Sequence, residues 1–387
     1  MAGNKTLGRA KEAKNDEFYT QFADIEREVN AYLAYDPNVF RDKTVLLPCD
    51  DPEWSNFTRY FAQNFTALGL RRLVSTGYAI ESKRRKGLRP GLFPDEDSAD
   101  PAATHGKIFV LDRDRDGNGV VDLDDLRWRW LEGDGDFRSE EVRRLRDEAD
   151  IIVTNPPFSM FSEFVAWIME AGKRFLVIGN MNAVSYSALF PHIRDNRIWL
   201  GATGGDTDMV FGVPDGAAVA PADREKAARM GYVGNYTRLG NSCWFTNLDH
   251  GQRHEPMRLM TMAENIRHSR HKDVRGHEYA RYENYDAVEV PYVDAIPGDF
   301  EGVMGVPRSF LLRYNPEQFE IVGMDSKELA ESLGIGPVGT DWVARYRKTG
   351  GTGHITPNMR NLVLTVDGIP KMSYARILIR KRKEGNT

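Results

Sequence analysis

Apolar positions divide the chain into a first part that alternates short strands with helices and a later part built mainly of short strands. Ile25, Val29, Tyr32 and Leu33 recur at i, i+4, i+7 and i+8, the spacing of a helix with one buried face. Thr44 to Leu47 is a continuous apolar run, as in a strand covered on both faces. Phe57, Tyr60, Phe61, Phe65 and Leu68 then predict a helix, and Arg72 to Thr76 and Lys107 to Leu111 predict two more strands. A charged helix over Ser139 to Glu148 leads into a central strand ending at Thr154. The stripe Phe161, Phe164, Val165, Ile168 and Met169 predicts a helix capped by Ser159 and stopped at Gly172. Arg174 to Ile178 is another strand. This order predicts an α/β fold with a doubly wound, mostly parallel sheet.

From about residue 195 the pattern changes. Arg197 to Leu200, Met209 to Val213, Ser242 to Asn247 and Met257 to Met262 predict short strands, with an Ala-rich insert over 214–230. Pro-rich turns follow, then Phe310 to Tyr314, a strand over Phe319 to Val322, and a closing strand at Ile377 to Ile379 before a basic tail. The predicted organisation is an arm (1–14), a main domain (15–250, with an acidic loop insert at 81–132) and a C-terminal region (251–387).

The 387 residues suffice for one large domain or two ordinary ones, and 41% hydrophobic with 28% charged residues describes a globular protein. No apolar run approaches the ~18 residues of a membrane span, and the N-terminus has no apolar signal core, so a cytoplasmic protein is expected. Cys49 and Cys243 are too few for a disulfide framework or a cysteine-built zinc site. The net charge of −5 requires any nucleic-acid partner to be met by a local basic face.

The richest chemistry lies at Asn155-Pro156-Pro157-Phe158. The prolines end strand pairing and fix an extended turn, holding Asn155 and Phe158 at the strand's C-terminal lip, where open α/β sheets bind ligands. The Asn155 side-chain oxygen and the Pro156 carbonyl can accept from an exocyclic NH₂ while Phe158 stacks on its ring. The plainer alternative is a strand-ending turn. The loop Pro48-Cys49-Asp50-Asp51 to Ser55-Asn56-Phe57 follows the first sheet strand without G-x-G-x-x-G, so a phosphate cradle is not indicated. Lys83, Arg84, Arg85, Lys86 and Arg89 form a basic run that is either a solvated loop or a phosphate-contacting one. Asp114, Asp116, Asn118, Asp122 and Asp125 match a calcium-loop template with Gly119 at its sixth position. Asp stands where Glu is usual at the twelfth, and no helix precedes the loop. It is either a Ca2+ site or an acidic connecting turn.

Asn155–Phe158, taken with the loop at 48–57, resembles the S-adenosylmethionine-dependent methyltransferases that modify exocyclic nitrogens. Asn15-Asp16-Glu17-Phe18-Tyr19-Thr20, Cys49-Asp50-Asp51-Pro52, Ser55-Asn56-Phe57, Trp244-Phe245-Thr246-Asn247-Leu248, Gly305-Val306-Pro307 and Tyr314-Asn315-Pro316 extend the likeness. Together they resemble the EcoRI-type adenine-specific DNA methyltransferases over roughly residues 14 to 325.

The resemblance implies S-adenosylmethionine as cofactor. Asn15, Phe18, Tyr19 and Thr20 would hold its methionine end, and Pro48, Cys49, Asp50, Asp51, Ser55, Asn56 and Phe57 its main loop. Asp136 and Phe137 would flank its adenine, with Thr76 and Gly77 as further contacts. Asn155, Pro156, Pro157 and Phe158 would act on an adenine flipped out of double-stranded DNA. Residues 251–387 would form the target-recognition, DNA-binding region, and backbone contacts are expected from the 83–89 run, from Arg267, Arg270, Lys272 and Arg275, and from Arg345, Arg347 and Lys348. A cognate restriction endonuclease is a candidate partner. The competing readings are an N-methyltransferase for RNA adenine or a protein glutamine amide, and a non-catalytic binding module.

Overall fold

The computed structural model describes residues 19–50, 55–79, 104–119, 121, 123–203, 209–213, 219–326 and 329–383. The chain forms two compact units, one of residues 1–183 with 200–251 and the other of 184–199 with 252–387. Residues 184–199, placed by sequence in the first domain, thus belong with the second unit. No described helix is long and apolar enough to cross a membrane.

The chain's first strands are β1 (Tyr19–Thr20), β2 (Thr44–Leu47), β3 (Arg72–Gly77), β4 (Lys107–Leu111), β5 (Arg127–Trp130), β6 (Ile151–Thr154) and β7 (Arg174–Asn180). They are followed by β8 (Trp199–Leu200), β9 (Met209–Gly212), β10 (Tyr236–Leu239) and β11 (Ser242–Thr246). An eight-stranded sheet runs β5-β4-β3-β2-β6-β7-β11-β8. Its centre is parallel, β3 to β2 to β6 to β7, whereas β4, β5 and β11 join antiparallel. The sheet is therefore mixed, and the expected parallel order holds for its four middle strands. Those strands read as apolar runs because both faces are covered: every residue of β2 and β6 is buried. Helix Asn56–Gln63 connects β2 towards β3, and helix Phe161–Glu170 connects β6 to β7. Ile25, Val29, Tyr32, Phe57, Phe61 and Trp244 belong to the core beside the sheet. A small second sheet, β1-β9-β10, completes the unit.

Several local expectations differ. Ser159 does not cap the helix at 161–170; it lies inside a 3-10 turn, Phe158–Met160, enforced by the preceding prolines. The insert at 214–230 contains a helix, Pro221–Arg229, begun by proline in its first turn.

The second unit holds β12 (Ala287–Glu289), β13 (Val303–Val306), β14 (Phe319–Met324), β15 (Val363–Val366), β16 (Ile369–Met372) and β17 (Ile377–Lys381). Four form the sheet β12-β13-β17-β14, so the closing strand is an interior member, and β15 and β16 form a separate hairpin. The strand predicted at Met257 to Met262 is absent. Thr261 instead caps helix Met262–His268 through a reciprocal capping box with Glu264. Phe310 to Tyr314 lies mostly in a 3-10 helix, Arg308–Arg313.

Candidate active site

The C-terminal ends of β2, β3 and β6 lie side by side, as their parallel pairing requires. Asp50, just past β2, is 7% exposed and binds its neighbours through both carboxylate oxygens. Its Oδ1 accepts from the Ser55 hydroxyl at 2.8 Å and its Oδ2 from the Thr154 hydroxyl at 2.6 Å. The Asp50 carbonyl accepts from Ser75 Oγ at 3.0 Å, and the Pro48 carbonyl from Thr76 Oγ1 at 3.1 Å. Burying a carboxyl group is costly unless hydrogen bonds replace water, and two hydroxyls donate to it here. Asp50, expected to reach the cofactor, therefore also laces three strand ends together.

Ser55 caps helix Asn56–Gln63, accepting from the amides of Phe57 and Thr58. Asn56 donates from Nδ2 to the Thr20 carbonyl at 2.8 Å. Thr20 pairs with Phe211 and Tyr19 with Gly212, which fixes β1 against β9. Phe211 meets the Phe158 ring edge-on at 6.4 Å between centroids. Asn155, Pro157 and Phe158 are half-buried and Pro156 is buried, directly beyond the wholly buried β6. The structure thus gathers Tyr19, Thr20, Pro48, Asp50, Ser55, Asn56, Phe57, Thr76, Gly77, Asn155, Pro156, Pro157 and Phe158 around the ends of three parallel strands. Cys49, half-buried, lies in the same turn. Asn15, Phe18 and Asp51 lie outside the described residues.

The loop carrying Asp136 is pressed onto the end of β3 by backbone-to-backbone contact. A Cβ on Gly106 would stand 2.6 Å from the Gly77 carbonyl oxygen and 2.8 Å from Gly135 Cα. A Cβ on Gly135 would stand 2.5 Å from the same oxygen, and its φ of 80° already disfavours side chains. Asp136 is gripped by Arg138, with Nε to Oδ1 at 2.9 Å and Nη2 to Oδ2 at 2.6 Å; that carboxylate holds the guanidinium pKa above its ordinary value. Phe137 is 5% exposed and its ring packs edge-on against Phe164 and Trp167, so it serves the core rather than offering an open face for stacking.

Some family-like motif residues have structural tasks. Asn247 Oδ1 accepts from Phe175 N at 2.8 Å, its Nδ2 donates to the Lys173 carbonyl at 2.9 Å, and Thr246 Oγ1 donates to the Phe175 carbonyl at 2.7 Å. They clamp β11 to β7, beside the Asn155 strand. Burial pushes the Cys243 thiol pKa well up, which leaves it inert. Thr154 and Phe211 were missed by sequence reasoning. Thr154 adjoins the motif and its type suits a buried bond, whereas Phe211 has no local signature.

Glu28 is another buried acid that sequence reasoning missed. Its carboxylate accepts from the amides of Ala202 and Thr203 at 2.8 and 2.7 Å, and burial raises its pKa.

In the acidic loop, ligand oxygens of Asp114, Asp116 and Asp125 lie within 4.8 Å of one another. Asp114 accepts from the amides of Gly117 and Gly119 at 2.7 Å each, and Asp125 from that of Asp116 at 3.1 Å. Asp122 lies outside the described residues, and Asn118 turns its side chain to Asp116 Oδ2 at 3.0 Å.

Of the basic candidates, Lys83, Arg84, Arg85, Lys86 and Arg89 lie outside the described residues. Arg267, Arg270, Lys272, Arg275, Arg345, Arg347 and Lys348 are exposed in the second unit. Arg270 pairs with Asp294 at 2.9 Å and Arg345 with Glu283 at 2.6 Å.

The model of the family described as "Adenine-specific methyltransferase EcoRI" matches residues 6–382. Type II methyltransferase M.EcoRI of Escherichia coli is 39% identical over 336 residues, covering 85% of this chain and 93% of that protein. Type II methyltransferase M.MpnI of Mycoplasma pneumoniae is 35% identical, covering 82% and 84%. M.MgeORF184P of Mycoplasma genitalium is 33% identical, covering 82% and 85%. No solved structure matches the chain.

Proposed function

The chain belongs to the EcoRI family of adenine-specific methyltransferases, and from that premise we propose how its residues divide the work. It is a DNA adenine methyltransferase, with S-adenosylmethionine as methyl donor. The observation carrying the residue-level reading is the shared anchoring of the 48–57 loop and the Asn155 strand through Asp50.

The site's chemistry suits the cofactor. Gly106 and Gly135 bring the 133–137 loop into backbone contact with Gly77 at the end of β3, so this loop, β1 and the turn after β2 would border the cofactor. Tyr19, Thr20, Cys49, Asp50, Asn56 and Gly77 would hold it, together with Asn15, Phe18 and Asp51. When bound, the cofactor supplies an electrophilic methyl carried on a positively charged sulfur.

An adenine inside a duplex cannot reach that site, so it is taken out of the stack. Phe158, backed by Phe211, stacks on the flipped base. Asn155 Oδ1 and the Pro156 carbonyl oxygen each accept one N6 hydrogen. Two acceptors draw N6 from planar towards tetrahedral geometry and free its lone pair for attack. The alkylated nitrogen is acidic enough to release its extra proton to water, so no strong base is required. Rate then comes chiefly from positioning. Asp136 and Phe137 act indirectly in this reading: Arg138 and the Phe164–Trp167 cluster fix the loop that borders the cofactor. The grouped oxygens of Asp114, Asp116 and Asp125 could take Ca2+, and their bonds to loop amides serve an acidic turn equally well.

The second unit would bind duplex DNA, with Arg267, Lys272, Arg275, Arg347 and Lys348 on phosphates. A restriction endonuclease sharing the recognition site would be the cognate partner, and the cytoplasm the compartment. Labelled methyl transfer to genomic DNA lacking adenine methylation tests the reading. N6-methyladenine at one sequence is expected, and transfer to RNA or protein alone would overturn it.

A further inference from the structure

In the second unit, the hairpin β15–β16 turns its two strands to different uses. Val363 and Leu364 of β15 are buried in the core, whereas Ile369, Lys371 and Met372 of β16 face outward. Ile369 is 50% exposed, Met372 37% and Tyr374, just beyond, 86%. Three large apolar side chains within six residues cost solubility and add little to folding. Their support is rigid. Asp367 and Gly368, with φ of 51° and 76°, make a tight turn of the kind that matches strand twist. Ser373 Oγ donates to Glu289 at 3.2 Å and Arg376 Nε to the same carboxylate at 3.0 Å, which fixes the hairpin's foot to β12.

Charge of both signs flanks this edge: Asp273, Glu278 and Asp367 share a cavity with Lys371, Met372 and Tyr374, and cations lie on the neighbouring helix. Helix Thr340–Lys348 packs against β16 and ends in Arg345, Arg347 and Lys348. Glu283 and Thr365 hold Arg345, while Arg347 and Lys348 are exposed and make no ion pair among the described residues. The second unit carries 22 Lys and Arg against 19 Asp and Glu, and the first 30 against 38. The unit bearing the hairpin thus has a small net positive charge in an otherwise acidic chain.

We propose that β15–β16 is a groove-reading ribbon, which places Ile369, Lys371, Met372 and Tyr374 against base edges of duplex DNA and Arg347 and Lys348 on the adjoining phosphates. This rests on the DNA-methylation reading. The major groove admits a two-stranded ribbon, apolar side chains there meet thymine methyl groups, and lysine meets guanine acceptors. Rigid mounting keeps such contacts selective.

The test compares the full-length enzyme with Tyr374→Ser, with Ile369→Ser/Met372→Ser and with Lys371→Ala. Substrates are duplexes carrying the recognised site or single base-pair changes away from the methylated adenine. The ratio of kcat/KM between cognate and altered duplexes should fall about 10-fold or more, while kcat at saturating cognate DNA stays within about 3-fold. Arg347→Ala/Lys348→Ala should weaken binding to all duplexes alike and lower the salt slope by about 1 per lost contact. Tyr374→Ser alters a side chain almost wholly in solvent, so its folding is secure. Unchanged discrimination in all three hairpin variants would overturn the proposal. So would a change of sedimentation state with discrimination intact, which would assign the face to a second copy of the chain. If the wild-type enzyme transfers no methyl to DNA, the underlying reading fails instead.

Discussion

The Asp50 carboxylate at the end of β2 accepts a 2.6 Å hydrogen bond from the Thr154 hydroxyl at the end of β6. One side of this bond is the loop that would border the methyl donor; the other immediately precedes Asn155. A buried hydrogen bond thereby holds the 48–57 loop and Asn155 in one register.

Thr154→Val keeps the side chain's shape and removes that bond. Depriving a buried carboxylate of a donor costs about 1–3 kcal/mol, which a thermal melt will register. Loss of register at Asn155 should lower single-turnover methyl transfer by about 10- to 100-fold, the effect of a shift near 1 Å. Full activity with an unchanged melt would show that Asp50 positions nothing.

Gly135→Ala places a Cβ 2.5 Å from the Gly77 carbonyl oxygen at a φ of 80°. The loop must move off β3, and the strain should cost about 1–3 kcal/mol. Calorimetry should find weaker S-adenosylmethionine binding than in the wild type. Alanine at Gly133, where a Cβ meets nothing within 4 Å, is the control.

Asp325 in the second unit is pushed up to about 6, chiefly by burial, against the opposing Leu362 amide bond and Arg376 charge. An acid whose folded pKa is raised keeps its proton while the unfolded chain releases it. Stability therefore falls as pH rises from about 4 to 6 and is level above. Asp325→Asn retains an acceptor for the Leu362 amide. It should raise second-unit stability near neutral pH by roughly 2–3 kcal/mol and leave it unchanged near pH 4. Equal effects at both pH values would contradict the assignment.

Phe158→Ala should remove base stacking worth about 1–3 kcal/mol, read as a higher KM for DNA with cofactor binding unaltered. Phe158→Tyr should restore most of it. A KM unmoved by alanine would take the ring out of base binding.

The middle of the fold was legible because β2, β6 and β7 carry continuous apolar runs, buried in the sheet, while β3 shows a shorter one at Leu73-Val74. The candidate site was legible where chemistry is local, in Asn155–Phe158 and the Pro48–Phe57 loop. It was not where contacts come from far along the chain: Phe211 reaches Phe158 only after β9 pairs with β1. Phe137 looked like a stacking ring beside an acid, but the ring is buried and packs edge-on with Phe164 and Trp167. Two local signals were overlooked. Thr261-x-x-Glu264 announces a helix where a strand was predicted, and Val366-Asp367-Gly368-Ile369 announces a hairpin.

The most direct test of the central claim is Asn155→Ala, with S-adenosylmethionine affinity and methyl transfer to cognate DNA measured on the same preparation. If Asn155 holds the target amine, affinity stays within about 3-fold while transfer falls by about 100-fold or more, the order of a lost preorganised hydrogen-bond partner. Loss of both in equal measure, or retention of transfer, would contradict it.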